Sequence, residues 1–267
     1  MSYYRQKQAI DKGKIMKAVL VDMEGVIRDS RNAFHHAYER SLSTVGVKLN
    51  AYPAETWKLR GFAEFNSQRN FLKAIYAINK SGEDLTRVFW KKYPVKHVND
   101  LVKKHGPNRE VLDKVEQEYM RFIMTPVVLR RIPPVRAGKI GVKLLREDGY
   151  PVGVVTNAKA EYNARWMEQK KVHNHFHAVV TSDEGGLPKP APDMVLKGCD
   201  KVGHQPKHVV YLGDSEADIM AAKAAGCIPV GIMSGSTERT RLKELGATHV
   251  FDSVTDFALY LRRGGKI

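Results

Sequence analysis

Cysteine is nearly absent. Of 267 residues only Cys199 and Cys227 carry a thiol, which cannot build a disulfide framework and lacks the CxxC-type spacing of a zinc site, so a reducing cytosol is the expected setting. Long apolar runs are missing too, which excludes a helical bilayer span. The first seventeen residues are polar and basic, without the apolar centre of a signal peptide. These absences predict a cytoplasmic protein with no membrane partner. Acidic residues are in short supply, 29 Asp and Glu against 44 Lys and Arg, for a net charge of +15. The shortage is local: residues 1–17 hold five basic and one acidic residue, and residues 29–133 hold nineteen and eleven. Such a surface attracts a phosphorylated substrate, binds nucleic acid or is simply solvated lysine, and the last is the commonest case.

With 43% hydrophobic and 27% charged residues, the chain reads as a folded protein of one large domain or two unequal ones. It is organised around Lys17-Ala18-Val19-Leu20-Val21-Asp22-Met23-Glu24-Gly25-Val26. An apolar run this short, ending in a carboxylate and a glycine turn, predicts a buried parallel strand that presents Asp22 at the sheet edge. In open α/β sheets that edge is where ligands bind. An ordinary acidic turn after a strand remains the alternative.

Residues 1–16 show no clear periodicity and are expected to fray. Beyond the first strand, apolar residues recur at helical spacing: Phe34, Tyr38, Leu42 and Val45; Phe71, Leu72, Ile75 and Ile78; Val111, Leu112, Val115, Tyr119, Phe122 and Ile123. Residues 29–133 therefore read as a compact helical module, with Pro133-Pro134 as its exit hinge. Short apolar strands then alternate with helices. Tyr150–Thr156, Ala178–Thr181, His208–Leu212, Ile228–Ile232 and His249–Phe251 read as strands, and helices are expected from Lys139, Glu161, Asp193, Glu216, Glu238 and Thr255. Alternation of this kind implies a parallel sheet with right-handed crossovers, which the first strand joins. The expected fold is α/β: a Rossmann-like parallel sheet in a core of residues 17–28 and 134–267, with an inserted all-helical cap of residues 29–133.

Three later segments carry polar groups at equivalent places. Thr156-Asn157 closes a strand with a hydroxyl and an amide, which suit a phosphate oxygen or an ordinary helix cap. Lys189 lies between Pro188 and Pro190, restrained on both sides; it neutralises a carboxylate and a phosphate together, or is an exposed lysine in a proline-rich turn. Asp214 and Asp218 stand four residues apart at a strand end and in the first helical turn. That spacing holds a hard divalent cation such as Mg2+ through oxygen, or caps a helix N-terminus.

The order of the four segments resembles the haloacid dehalogenase superfamily, and the position of the helical insert resembles its C1-capped branch of phosphoglycolate phosphatases and beta-phosphoglucomutases. Gly25-Val26-Ile27-Arg28-Asp29-Ser30 extends the likeness. The resemblance implies a Mg2+-dependent phosphatase acting on a small phosphorylated metabolite, phosphoglycolate-like or sugar-phosphate-like. By that implication Asp22 is the nucleophile that forms an aspartyl-phosphate, and Glu24 the general acid and base. Asp22, the Glu24 carbonyl and Asp214 hold Mg2+, with Asp218 ordering the metal shell. Thr156, the backbone at Asn157 and Lys189 stabilise the phosphoryl oxygens, and Ser215 is a candidate supporting hydroxyl. One departure stands out: family phosphatases usually place aspartate two residues after the nucleophile, whereas this chain has Glu24, longer by about 1.5 Å. Arg60 and Arg69 are candidates for substrate choice, as cations for a second anionic group or as surface arginines. Two alternatives stay open: a phosphomutase using the same residues, and a catalytically weak basic protein that binds nucleic acid. Oligomeric state leaves no signal.

Overall fold

The computed structural model describes residues 16–184 and 186–267; the expected tail, apart from Met16, lies outside them. Strands β1 (Ala18–Val21), β2 (Val152–Val155), β3 (Ala178–Val180), β4 (Val209–Gly213), β5 (Ile228–Ile232) and β6 (His249–Phe251) form one sheet in the order β3-β2-β1-β4-β5-β6. Every pairing is parallel. From β1 the chain builds outward through β2 and β3, then crosses back to β4 and builds the other way. The order thus reverses beside β1, which leaves a crevice at the carboxyl ends of β1 and β4.

The alternation expected of a buried strand sorts β1 between two faces. Ala18 and Leu20 pack with Val155, Val195, Cys199 and Tyr211 on one face. Val19 and Val21 pack with Val142, Leu145, Val254 and Phe257 on the other. Five of the expected helices run from within a residue of the positions read from the sequence, as α9 (Ala160–Lys170), α10 (Asp193–Val202), α11 (Glu216–Ala224), α12 (Arg239–Glu244) and α13 (Val254–Arg262). The helix expected from Lys139 is α8 (Arg136–Glu147), starting a turn earlier because Pro133 and Pro134 end the preceding segment and Val135 caps it in an extended conformation.

Between β1 and α8 lie seven helices: α1 (Arg31–Ser43), α2 (Pro53–Gly61), α3 (Gln68–Lys80), α4 (Leu85–Phe89), α5 (Pro94–His105), α6 (Arg109–Ile123) and α7 (Pro126–Arg131). Their apolar stripes meet in one cluster that includes Phe34, Tyr38, Leu72, Ile75, Val115 and Tyr119 and continues to the sheet. The two strands of chain that enter and leave this helical block run side by side: the Asp29 N–H donates to the Pro133 carbonyl at 3.0 Å, and the Val135 N–H to Ile27 at 2.8 Å. Among the described residues no helix is long and apolar enough to cross a membrane.

Candidate active site

Asp22 is the residue after β1. Its N–H still donates to the Leu212 carbonyl at 2.9 Å, so the ladder with β4 fixes where its carboxylate emerges. Thr156 sits likewise one residue beyond β2, its N–H on Val180 at 3.0 Å. Lys189 arrives from the loop between β3 and α10, and Asn157 clamps that loop from both sides. Asn157 Oδ1 accepts the Lys189 N–H at 2.9 Å, while its Nδ2 donates to the Lys189 carbonyl at 3.0 Å. A third bond from Nδ2 reaches Asn66 Oδ1 in the helical block at 2.9 Å. The Asn157 side chain is thus committed to placing the lysine, which leaves its backbone N–H as the group available to a ligand.

The Lys189 ammonium is 2% exposed and surrounded by oxygen. It donates to Asp22 Oδ1 at 2.7 Å, Asp218 Oδ1 at 2.6 Å, the Tyr211 hydroxyl at 2.8 Å and the Val155 carbonyl at 3.1 Å. Burial works against the charge, but the carboxylates of Asp218 and Asp22 outweigh it and hold the ammonium above its ordinary range. Asp218 serves two ends. Its Oδ2 takes the Ser215 N–H at 3.0 Å and hydroxyl at 2.6 Å in a capping box at the start of α11, and its Oδ1 meets Lys189. The helix-cap reading of the acidic pair thus holds for Asp218.

Asp214 Oδ2 accepts the Ser236 N–H at 2.7 Å and hydroxyl at 2.9 Å. Gly25 and Gly235 pack against the same carboxylate: a Cβ at Gly25 would come 2.8 Å from Oδ2, and one at Gly235 would overlap it. Asp22, Asp214 and Asp218 are all buried and offer oxygens within 4.8 Å of one another. Burial pushes the Asp22 carboxyl up to about 7, opposed by Lys189 and reinforced by Asp218. Burial also raises Asp214, with Asp218 and Asp22 adding repulsion. The Lys189 bond falls on Asp22 Oδ1 and both Ser236 bonds fall on Asp214 Oδ2. Three buried carboxylates this close together are a set of hard oxygen donors that fits a divalent cation such as Mg2+.

Above this cluster a cavity of about 230 Å³ extends into the helical block, lined by Asp22, Glu24, Thr156, Lys189 and Asp214 below and by Phe34, Trp57, Arg60, Gln68 and Tyr119 above. Glu24 stands at the wall, its carboxylate held by Arg28 and Ser30. Arg60 donates to Tyr38 at 3.2 Å, Gln68 at 3.3 Å and the Asn66 carbonyl at 3.0 Å, all neutral. Arg69 is absent from the lining; it pairs with Asp113 at 2.7 Å and with Glu116. Arg28, Ser30, Tyr211 and Ser236 entered no reading of the sequence as site residues. Tyr211 sits within an apolar strand, and Ser236 meets Asp214 only through the fold; for Arg28 the signal was its spacing four residues after Glu24.

A model of the haloacid dehalogenase-like hydrolases matches residues 16–226. The chain belongs to that family. Among relatives of this hydrolase, the phosphoglycolate phosphatase of Neisseria meningitidis is 31% identical over 236 residues, covering 87% of each chain. The phosphoglycolate phosphatase of Escherichia coli (strain K12) is 37% identical over 91 residues, 34% of this chain, so that the chain spans about a third of that relative's length, 36%. A hydrolase from Pseudomonas syringae shares the fold with a TM-score of 0.70 at 15% identity, over 94% of this chain and 100% of that one.

Proposed function

We propose that this hydrolase is a Mg2+-dependent phosphatase of a small phosphorylated metabolite, phosphoglycolate-like or sugar-phosphate-like, with residues 29–133 acting as a cap over an α/β core of residues 17–28 and 134–267. The observation that carries the reading is the Lys189 ammonium held 2.7 Å from Asp22 and 2.6 Å from Asp218 at the floor of the cavity. The cavity volume of about 230 Å³, below the ~300–1,000 Å³ usual for ligand sites, suits a small substrate.

In this mechanism the Asp22 carboxylate attacks phosphorus, and the substrate's ester oxygen leaves with a proton from Glu24. Glu24, now a carboxylate, then takes a proton from the water that attacks the aspartyl-phosphate, releasing phosphate and restoring Asp22. Lys189 balances charge on Asp22 and the transferring oxygens, and the Thr156 hydroxyl and Asn157 N–H donate to those oxygens. Mg2+, held by Asp22, the Glu24 carbonyl and Asp214 with Asp218 orienting the set, supplies positive charge to the phosphoryl group when bound. Arg60, with only neutral partners, favours a second anionic group on the substrate. The cap excludes water from the site during transfer.

The test is phosphate release from a panel of small phosphomonoesters with Mg2+ or with EDTA. Strong release that EDTA abolishes is expected. Isomerisation of a sugar phosphate without net release would make the protein a mutase, and no turnover of any ester would overturn the reading.

A further inference from the structure

Glu24 is one methylene longer than the aspartate of the family pattern, and the structure contains a device that takes up the difference. Arg28 is fully buried. Its Nε donates to Glu24 Oε2 at 3.2 Å, its Nη2 donates to Oε1, and Nη2 also reaches Asn163 Oδ1 at 3.0 Å. The guanidinium lies 4.1 Å from the Tyr162 ring centroid and 5.1 Å from that of Trp166. Ser30 Oγ adds a third donor, 2.5 Å from Oε2.

This arrangement is expensive. A buried guanidinium loses hydration worth several kcal/mol, and Arg28 Nη1 is buried without a hydrogen-bond partner, a further cost. Glu24 is the only carboxylate paired with Arg28 among the described residues. The backbone of Arg28 is fixed to the nucleophile loop as well: its N–H donates to Met23 at 2.9 Å and its carbonyl accepts from Gly25 at 2.8 Å. A side chain anchored at both ends to one short loop can set where a carboxylate in that loop points. A misplacement near 1 Å costs on the order of a hundredfold in rate, so a longer acid needs such a restraint.

We infer that Arg28 is the positioning residue for Glu24, drawing the longer side chain back so that its carboxylate meets the leaving oxygen, with Ser30 as a second anchor. The inference rests on the phosphatase reading, in which Glu24 is the acid and base. It predicts a loss confined to proton transfer. Arg28→Gln is expected to lower kcat for an alkyl phosphate on the order of a hundredfold with little change in KM. With p-nitrophenyl phosphate, whose leaving group needs no proton, the loss in kcat/KM, which does not contain the later hydrolysis of the aspartyl-phosphate, is expected to be much smaller. In a Glu24→Gln background the same substitution should cost nothing further. Should Arg28→Gln fail to fold, Ser30→Ala carries the test: a several-fold loss in kcat/KM for the alkyl phosphate only, again absent in Glu24→Gln.

Equal losses of kcat/KM on both esters in folded variants, or losses that add in the double variant, would overturn the inference while leaving the phosphatase standing. A wild-type protein that releases no phosphate from either ester would overturn the reading beneath it, and the inference with it.

Discussion

Four acceptors crowd the single ammonium of Lys189, and at 2% exposure water cannot replace any of them. Breaking a buried ion pair from one side strands the other. Lys189→Met is therefore expected to lower stability by about 3–5 kcal/mol in denaturant unfolding and to abolish phosphate release. Stability within about 1 kcal/mol of wild type would mean that the carboxylates do not depend on the lysine. At this scale the sequence was legible where a polar residue ends a strand or sits between prolines: Asp22, Thr156, Lys189 and Asp214 could be placed from local pattern alone. Tyr211 could not, since a tyrosine inside an apolar strand looks like any core aromatic until Lys189 arrives from a loop 22 residues earlier. Arg69 shows the converse. Its place near the expected specificity region was readable, but the partners that hold it, Asp113 and Glu116, come from another helix.

The elements owe their relative placement to close approaches between backbones. On α8, a Cβ at Gly138 would overlap the Val26 carbonyl in the loop after β1, and one at Gly141 would overlap the backbone of Val254 at the start of α13. Alanine at either position gains about 1 kcal/mol of helix propensity, but the forced shift is expected to cost about 1–3 kcal/mol. The two variants should differ in consequence. Gly141→Ala is expected to lose stability in chemical denaturation with kcat nearly intact, whereas Gly138→Ala should also lower kcat by pushing the loop that carries Asp22 and Glu24. Identical kinetic effects would show that α8 does not transmit to the loop at one point. The strands and most helices were legible because apolar period and punctuation agree along the second half of the chain. The strand expected from Tyr150 to Thr156 shortens to Val152–Val155, because Pro151 offers no N–H to the ladder. What the pattern could not supply was how the helices stack, which depends on contacts such as those of the two glycines.

The chain as a whole is strongly basic, yet its candidate site is a knot of buried acids. The metal-free fold favours protonated Asp22, whose carboxyl is raised from 3.8 to about 7 by burial. Asp214 is raised in the same sense. For an acid raised in the folded state, the stability it contributes is present below its unfolded value and lost as pH climbs through the folded one. The metal-free protein should therefore lose stability between about pH 4 and pH 7 from this cluster. Binding of Mg2+ needs the ionised forms and reverses the loss. At a hundredfold excess over Kd, Mg2+ is expected to raise Tm by about 5–10 °C at pH 8 and much less at pH 5, as read by scanning calorimetry. An equal rise at both pH values would place the ion elsewhere.

Phosphoryl transfer to Asp22 is tested most directly by phosphate release from the best substrate of the panel, compared between wild type and Asp22→Asn at saturating Mg2+. The asparagine keeps the side chain's size but removes the attacking carboxylate. Release reduced to background is the expected result. Release at the wild-type rate would contradict the mechanism, since the reaction would then proceed without a nucleophile at residue 22.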